Sequence, residues 1–156
     1  MSQDSLEALH LLLERATQER DRLAGELRRA EGLTQRARQQ AEQLAGYRTE
    51  YRQRWSTQFG QGSAVEIVHC YHSFMQRLDE AMAQQQQQVE AAARQEATLR
   101  QALMHAELRA ASVRKLIERR QAEQRHRQAR REQRQTDETA QLLTQRRSPN
   151  SAALPH

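Results

Sequence analysis

His69, Cys70 and His72 are the side chains of this sequence whose types and spacing come nearest to a reactive site. On a helix, His69 and His72 would share a face because they lie three positions apart, and two such histidines can bind zinc. A structural zinc site needs about four ligands, and no obvious fourth ligand accompanies these residues. We therefore expect them to be surface residues, and we predict neither a metal ion nor a cofactor.

Other arrangements that support catalysis are missing from the sequence as well. It has no glycine-rich phosphate loop, no serine, histidine and aspartate in the pattern of a nucleophilic triad, and no pair of carboxylates in an apolar setting. Two phenylalanines, three tyrosines and one tryptophan are too few for a large globular interior that could enclose a cleft. The sequence therefore predicts that the protein is not an enzyme.

The strongest pattern is a seven-residue repeat of apolar side chains, which runs through the chain twice. Twelve of the sixteen positions in the first stripe are apolar, and thirteen of the fifteen in the second. The first stripe consists of Leu6, Leu9, Leu13, Ala16, Arg20, Leu23, Leu27, Ala30, Thr34, Ala37, Ala41, Leu44, Arg48, Tyr51, Trp55 and Gln58. The second consists of Val68, Tyr71, Met75, Leu78, Met82, Gln85, Val89, Ala92, Glu96, Leu99, Leu103, Ala106, Ala110, Val113 and Ile117. A spacing of about 3.5 residues keeps each stripe facing one partner helix, which predicts a coiled coil.

The segment between the two stripes has the composition of a turn. Gly60 and Gly62 can adopt the positive φ that ends a helix, and Ser63 with Glu66 forms a capping box that begins the next. The predicted fold class is therefore all-α, with two long helices in an antiparallel coiled-coil hairpin whose second helix is the longer. The predicted domain covers residues 4–145, with a first helix at 4–58, a turn at 59–63, a second helix at 64–145 and a disordered tail at 146–156. A parallel dimer with the glycines as a stutter is the alternative arrangement.

The antiparallel arrangement also predicts which residues lie opposite each other. Because a layers of one helix meet d layers of the other, the numbers of opposed residues should add to about 119 or 126. Ile117, the last residue of the second stripe, then lies opposite the start of the first helix. Residues 118 to about 145, which we call the basic segment, should therefore project as a single helix without a partner.

Residues 118–135, within the basic segment, contribute +4 of the net charge of +5. Between residues 118 and 135, three glutamates accompany seven arginines: Arg119, Arg120, Arg125, Arg127, Arg130, Arg131 and Arg134. Such a segment could bind nucleic acid non-specifically through phosphates, but it has no aromatic residue on which bases could stack. Binding to an acidic protein surface fits the sequence at least as well.

The line along which the two stripes are predicted to pack is called the seam here. Apolar side chains also flank one side of this seam near the turn. Tyr47 and Phe74 lie just outside the stripes on this flank, whereas the opposite flank is polar. With their neighbours they form a set that we call the aromatic patch: Leu44, Tyr47, Tyr51, Phe74, Leu78 and Ala81. Exposed rings of this kind predict a docking surface for a protein partner. The alternative is that the rings only widen and cover the seam.

The sequence favours a cytoplasmic location. No stretch approaches the roughly twenty apolar residues that span a bilayer, and residues 1–4 lack the basic and apolar regions of a signal peptide. The lone Cys70 cannot form an internal disulfide, which is consistent with a reducing compartment. We expect the chain to stay in the cytoplasm unless a partner holds it at a membrane.

A series of short motifs follows one order through nearly the whole chain. They are Leu11-Leu12-Leu13-Glu14-Arg15-Ala16, Glu19-Arg20-Asp21, Tyr47-Arg48-Thr49-Glu50-Tyr51 with Trp55, Gly62, Tyr71-His72-Ser73-Phe74 with Leu78-Asp79-Glu80-Ala81, and Arg131-Glu132-Gln133 with Asp137-Glu138-Thr139-Ala140. In order and spacing this series resembles the FliJ family, the small soluble coiled-coil proteins of the bacterial flagellar type III export apparatus. The resemblance implies a two-helix antiparallel coiled coil similar to the central stalk of rotary ATPases.

The resemblance also implies partners and a location. It implies a non-enzymatic stalk that links the hexameric export ATPase to the membrane export gate FlhA, assists the recycling of export chaperones, and so serves flagellum assembly, motility and chemotaxis. The protein would be peripherally associated with the cytoplasmic face of the cell membrane. By motif match, the residues that contact FlhA are Gln40, Leu44, Tyr47, Tyr51, Phe74, Leu78, Ala81 and Gln85. The helix ends, including the basic segment, would meet the ATPase.

Two alternatives remain open at this point. A general coiled-coil scaffold or chaperone would show the same heptad pattern without these partners. A basic helix protein would bind nucleic acid non-specifically and lose that binding as salt is raised.

Overall fold

The chain folds into two long helices that pack against each other as a helical hairpin. The computed structural model describes residues 2–58, 62 and 64–148. Helix α1 is Ser2–Gln58, and helix α2 is Val65–Arg147. The predicted all-α fold class, with a longer second helix, is confirmed.

The sequence explains why both helices extend so far. No proline occurs between Ser5 and Gln145, and most residues are strong helix formers such as alanine, leucine, glutamine, glutamate and arginine. Asp4 and Glu66 lie in the first turns of α1 and α2, where a negative charge complements the helix dipole. Basic residues occupy the last turn of α2 but not that of α1.

Part of the predicted turn can be compared with the structure. Gly62 has a φ of 83°, the positive value that glycine adopts without strain. The amides of Ile67 and Val68 donate to the Ala64 carbonyl at 3.0 and 3.2 Å, which closes the first turn of α2. Phe59, Gly60, Gln61 and the Ser63 half of the predicted capping box lie outside the described residues, as does the predicted tail from residue 149 onward.

The burial of the heptad positions follows the repeat closely. All fifteen positions of the second stripe are buried or half-buried, and so are fourteen of the sixteen in the first. The two exceptions, Tyr51 and Gln58, both lie near the end of α1. The stripes are therefore the seam along which the helices contact each other, as knobs-into-holes packing requires.

Residues 16–108 form one compact unit of the hairpin. Its most buried apolar side chains alternate between the helices: Leu23, Leu27 and Ala30 of α1, with Met75, Val89 and Ala106 of α2. Thr34 is buried with them, and its hydroxyl donates to the Ala30 carbonyl one turn earlier at 3.0 Å. This internal hydrogen bond lets a polar side chain occupy the seam.

The two helix ends, residues 2–15 and 109–148, belong to the second unit. Ala110 and Ile117 of α2 are its buried apolar residues. Arg120 Nη1 donates to Ser5 Oγ at 2.8 Å, so α1 still contacts α2 at this point. No helix in the described part of the chain is long and apolar enough to cross a membrane.

Candidate protein-binding surfaces

The aromatic patch lies within the unit of residues 16–108 and exposes three rings. Tyr47, Tyr51 and Phe74 keep 52%, 42% and 40% of their surface exposed. The rings of Tyr51 on α1 and Phe74 on α2 contact each other, with centroids 4.9 Å apart and planes tilted by 59°. This pair presents apolar ring faces to a protein partner, together with the hydroxyl group of Tyr51.

The remaining members of the patch are less exposed than the rings. Leu44, Leu78 and Ala81 are half-buried in or beside the seam, so they contribute to hairpin packing as well as to the surface. Large apolar side chains that stay exposed on a folded hairpin are typical of protein interaction sites. The patch therefore has the chemistry of a docking surface, with exposed rings and half-buried aliphatic side chains.

An ion pair joins the two helices beside the aromatic patch. Arg48 Nε of α1 lies 2.7 Å from Asp79 Oδ1 of α2, and both side chains are partly exposed. The sequence placed Arg48 in the first stripe and Asp79 on the polar flank without pairing them. Their residue numbers add to 127, so the antiparallel rule already contained the signal for this pair.

A second contact that the sequence did not predict lies closer to the turn. The rings of Trp55 and Tyr71 are stacked, with centroids 4.2 Å apart and an interplanar angle of 13°. Both side chains are half-buried, and their residue numbers add to 126. The antiparallel rule places these two residues opposite each other, but it does not predict the orientation of the rings.

A polar layer interrupts the seam further from the turn. The Glu96 side chain is only 17% exposed and lies 2.8 Å from Arg100 Nη2, which also lies 3.5 Å from Glu31 Oε1 of α1. The pKa of Glu96 is lowered, mainly by the polar Thr34 hydroxyl beside it. Partial burial opposes this lowering, and Arg100 adds to it. Polar seam residues of this kind commonly fix the register of a coiled coil.

The basic segment is a helix whose side chains face solvent. From Glu118 to Ser148 every residue is exposed except Gln124, which is half-exposed. The seven arginines named above are all among the exposed residues. A single exposed helix with this charge attracts anionic surfaces through long-range electrostatics, and the attraction weakens as salt is added.

The histidines and the cysteine do not assemble into a reactive centre in the described structure. His69 and Cys70 are exposed, and His72 contacts the edge of the Tyr71 ring with centroids 5.8 Å apart. Among the described residues, no group of three or more histidine, cysteine, aspartate or glutamate side chains is placed to hold a metal ion.

A family model for FliJ, described as the flagellar FliJ protein, matches residues 5–149. The chain belongs to the FliJ family. A flagellar FliJ protein of Salmonella typhi is 35% identical over 85 residues, which is 54% of this chain and 56% of that relative. The chain thus spans about half the length of this curated FliJ protein. No solved structure gives a significant match.

Membership of the FliJ family confirms the resemblance inferred from the ordered motifs, and it identifies the chain as a flagellar protein. The structure brings several of the residues expected at the FliJ gate contact together. Tyr51 contacts Phe74, and Gln85 Nε2 donates to Gln40 Oε1 at 3.2 Å. The same Gln85 nitrogen donates to the Ala37 carbonyl of α1 at 2.9 Å. The side chain of Gln85 is therefore engaged between the helices.

Proposed function

We propose that this protein is a non-enzymatic coupling stalk of flagellar protein export. It links the hexameric export ATPase to the membrane export gate FlhA and assists the recycling of export chaperones. In this role it is cytoplasmic and peripherally associated with the cytoplasmic face of the cell membrane, where its partners hold it.

The observation that carries this proposal is the aromatic patch on a member of the FliJ family. Three rings of this patch, Tyr47, Tyr51 and Phe74, keep about half of their surface exposed, and those of Tyr51 and Phe74 contact each other across the two helices. Burial of exposed aromatic surface is the main favourable term in most protein interfaces, and such rings are frequent hot spots. The resemblance to the family assigns these positions to the contact with FlhA.

The basic segment supports the second half of the proposal. Its exposed arginines can pair with acidic side chains of an ATPase ring, and the guanidinium group binds carboxylates in bidentate geometry. Arg120 also donates to Ser5 of α1, so the first turn of the basic segment is tied to the start of the hairpin. The arginines that follow are on a helix stabilised by local sequence alone.

The hairpin itself gives a physical basis for coupling. Two helices packed along a heptad seam resist bending more than one helix does, because every heptad layer would have to shift. A displacement imposed on such a structure is passed along it by packed side chains. No reactive group is required for this role, only stiffness and two different binding surfaces.

Replacement of the two rings that lie outside the heptad stripes, Tyr47 and Phe74, tests the contact with the gate. Tyr47→Ala combined with Phe74→Ala should weaken binding to detergent-solubilised FlhA by about 30-fold, because each ring offers on the order of 100 Å² to a partner. Isothermal titration calorimetry measures the affinity, and spreading in soft agar measures swimming by cells that carry the variant. Far-UV circular dichroism should show nearly unchanged helicity.

Met104→Ala is the matched control, because Met104 is 57% exposed in the same unit but lies outside the aromatic patch. Its affinity for FlhA should stay within about twofold of the natural chain. Equal loss of binding in both variants, or loss of helicity without a selective loss of binding, would contradict the role of the aromatic patch.

A pull-down from a motile bacterium at two salt concentrations separates the alternatives. A coupling stalk should retain both the ATPase and FlhA, and the ATPase contact should weaken as salt is raised. A general scaffold would retain neither protein. Retention of nucleic acid alone, with a steep loss at the higher salt concentration, would instead identify a non-specific nucleic-acid-binding helix.

A further inference from the structure

The stacked rings of Trp55 and Tyr71 lie directly beside the exposed pair of the aromatic patch. Trp55 follows Tyr51 by one turn of α1, and Tyr71 precedes Phe74 by about one turn of α2. The stack, with centroids 4.2 Å apart, therefore joins the helices one turn nearer to the end of α1 than the contact between Tyr51 and Phe74.

The last turn of α1, as far as the structure describes it, lacks one common source of helix stabilisation. α1 ends at Gln58, three residues after Trp55, and its last turn contains no basic residue to complement the helix dipole. Helix ends fray unless tertiary contacts tie them down. The ring stack is a nearly parallel contact between two half-buried side chains, so it is suited to fix the last turns of α1 on α2.

A second contact holds the helices on the other side of the exposed pair. Arg48 lies one turn before Tyr51, and its Nε is 2.7 Å from Asp79 Oδ1 of α2. The pair formed by Tyr51 and Phe74 is thus bracketed along the seam by a ring stack and an ion pair. Both side chains of the ion pair are partly exposed, so solvent screens their attraction, whereas both rings of the stack are half-buried.

We infer that Trp55 and Tyr71 are positioning residues for the aromatic patch: by stacking across the seam, they hold Tyr51 and Phe74 in the arrangement that docks on the export gate. This inference rests on the proposed function. Side chains ordered before binding lose less conformational freedom in the complex, which raises affinity without any new contact. Neither Trp55 nor Tyr71 needs to contact FlhA for this effect.

Substitution of Tyr71 by leucine and by phenylalanine separates stacking from mere burial. Tyr71→Leu keeps an apolar side chain but removes the ring, and we expect about tenfold weaker binding to detergent-solubilised FlhA. Tyr71→Phe keeps the ring and should bind within about twofold of the natural chain. The same comparison with Trp55→Leu and Trp55→Phe addresses the other ring.

Trp55 provides a readout that does not depend on any partner. It is the single tryptophan of the chain, so its fluorescence reports on the surroundings of this one ring. In Tyr71→Leu its fluorescence anisotropy should fall and its emission shift to longer wavelength, whereas Tyr71→Phe should leave both nearly unchanged.

A matched variant controls for general destabilisation. Leu99→Ala removes a half-buried seam side chain in the same unit, away from the aromatic patch, and should lower the melting temperature without changing the affinity for FlhA below the transition. Should Tyr71→Leu lose helicity, the comparison between Trp55→Leu and Trp55→Phe decides the question in its place.

The possible outcomes distinguish this inference from the proposed function. Failure of the natural chain to bind FlhA would overturn both, although the fluorescence of Trp55 would still show whether the stack orders the end of α1. Binding by the natural chain and by Tyr71→Leu with equal affinity would overturn the positioning role alone. A loss in Tyr71→Phe as large as that in Tyr71→Leu would also overturn it, because the stack would then not be the cause.

Discussion

Truncation of one buried leucine, compared with truncation of an exposed leucine on the same helix, tests the seam on which both candidate surfaces depend. Leu23 is 8% exposed, and Leu33 is 57% exposed. Both residues belong to α1 and to the unit of residues 16–108. Leu23→Ala and Leu33→Ala therefore remove the same atoms from two different environments.

The burial of each side chain sets the expected loss of stability. Leu23→Ala removes three CH₂-sized groups from an almost completely buried position, which should lower the free energy of unfolding by about 2 kcal/mol. Less than half of the Leu33 side chain is covered, so Leu33→Ala should lower the free energy of unfolding by about 1 kcal/mol. The higher helix propensity of alanine offsets part of this loss. A two-helix seam is open to solvent on both flanks, so its side chains can close over the gap and add little cavity penalty.

Urea unfolding followed by two signals measures the difference. Far-UV circular dichroism reports on all helical residues, and the fluorescence of Trp55 reports on the unit of residues 16–108. The free energies of unfolding of the two variants should differ by about 1 kcal/mol or more. The midpoint should not depend on protein concentration, because the hairpin forms within one chain.

Two results would refute this reasoning. If Leu23→Ala shifts the midpoint no more than Leu33→Ala, the two stripes are not the seam that holds the helices together. If the midpoint of the natural chain rises with protein concentration, association between chains contributes to the fold, as the parallel dimer would require.

Two further substitutions test polar residues of the seam. Because the Thr34 hydroxyl lowers the pKa of Glu96 in the folded state, the stabilisation from this carboxylate is present above its usual value of 4.5 and is lost as the pH falls through the lowered pKa. When the pH is lowered from above 4.5 to below it, the urea midpoint should therefore fall more for the natural chain than for Glu96→Gln. The exposed control Glu90→Gln should behave like the natural chain. Equal falls in all three proteins would contradict the prediction. Gln85→Leu should raise the free energy of unfolding by about 1 kcal/mol, because leucine packs well at a d position. The Ala37 carbonyl, which loses the Gln85 amide, keeps its backbone hydrogen bond within α1. Calorimetry should also show weaker binding to FlhA, because the family resemblance places Gln85 among the gate contacts, and an unchanged affinity would remove Gln85 from that set.

Much of the fold could be predicted because a two-helix coil needs only one stripe on each helix. The heptad count identified every position of the second stripe that the structure buries or half-buries, including the polar residues Gln85 and Glu96. That stripe ends at Ile117, which is also the last buried residue of α2 among those described. These features follow from local spacing, which is fully contained in the sequence.

The candidate surfaces were only partly predictable, because spacing gives the position of a residue but not the direction of its side chain. Tyr51 occupies a seam position, yet it stays 42% exposed and contacts Phe74, which lies outside the stripe. The stack of Trp55 on Tyr71 needed ring orientations that no repeat encodes. Where several large rings follow one another, they cannot all fit into the same narrow seam. Packing in three dimensions then decides which rings are buried and which stay exposed.

The two surfaces also differ in the physics by which they would recognise a partner. The aromatic patch acts at short range through buried apolar area, so its affinity should depend little on salt and strongly on the positions of Tyr51 and Phe74. The basic segment acts at long range through charge, so it should speed association and tolerate changes in the position of any one arginine. A chain that combines the two surfaces can be attracted to one partner by charge and can recognise the other by shape complementarity. The ordered rings are therefore the part of this protein in which specificity is expected to reside.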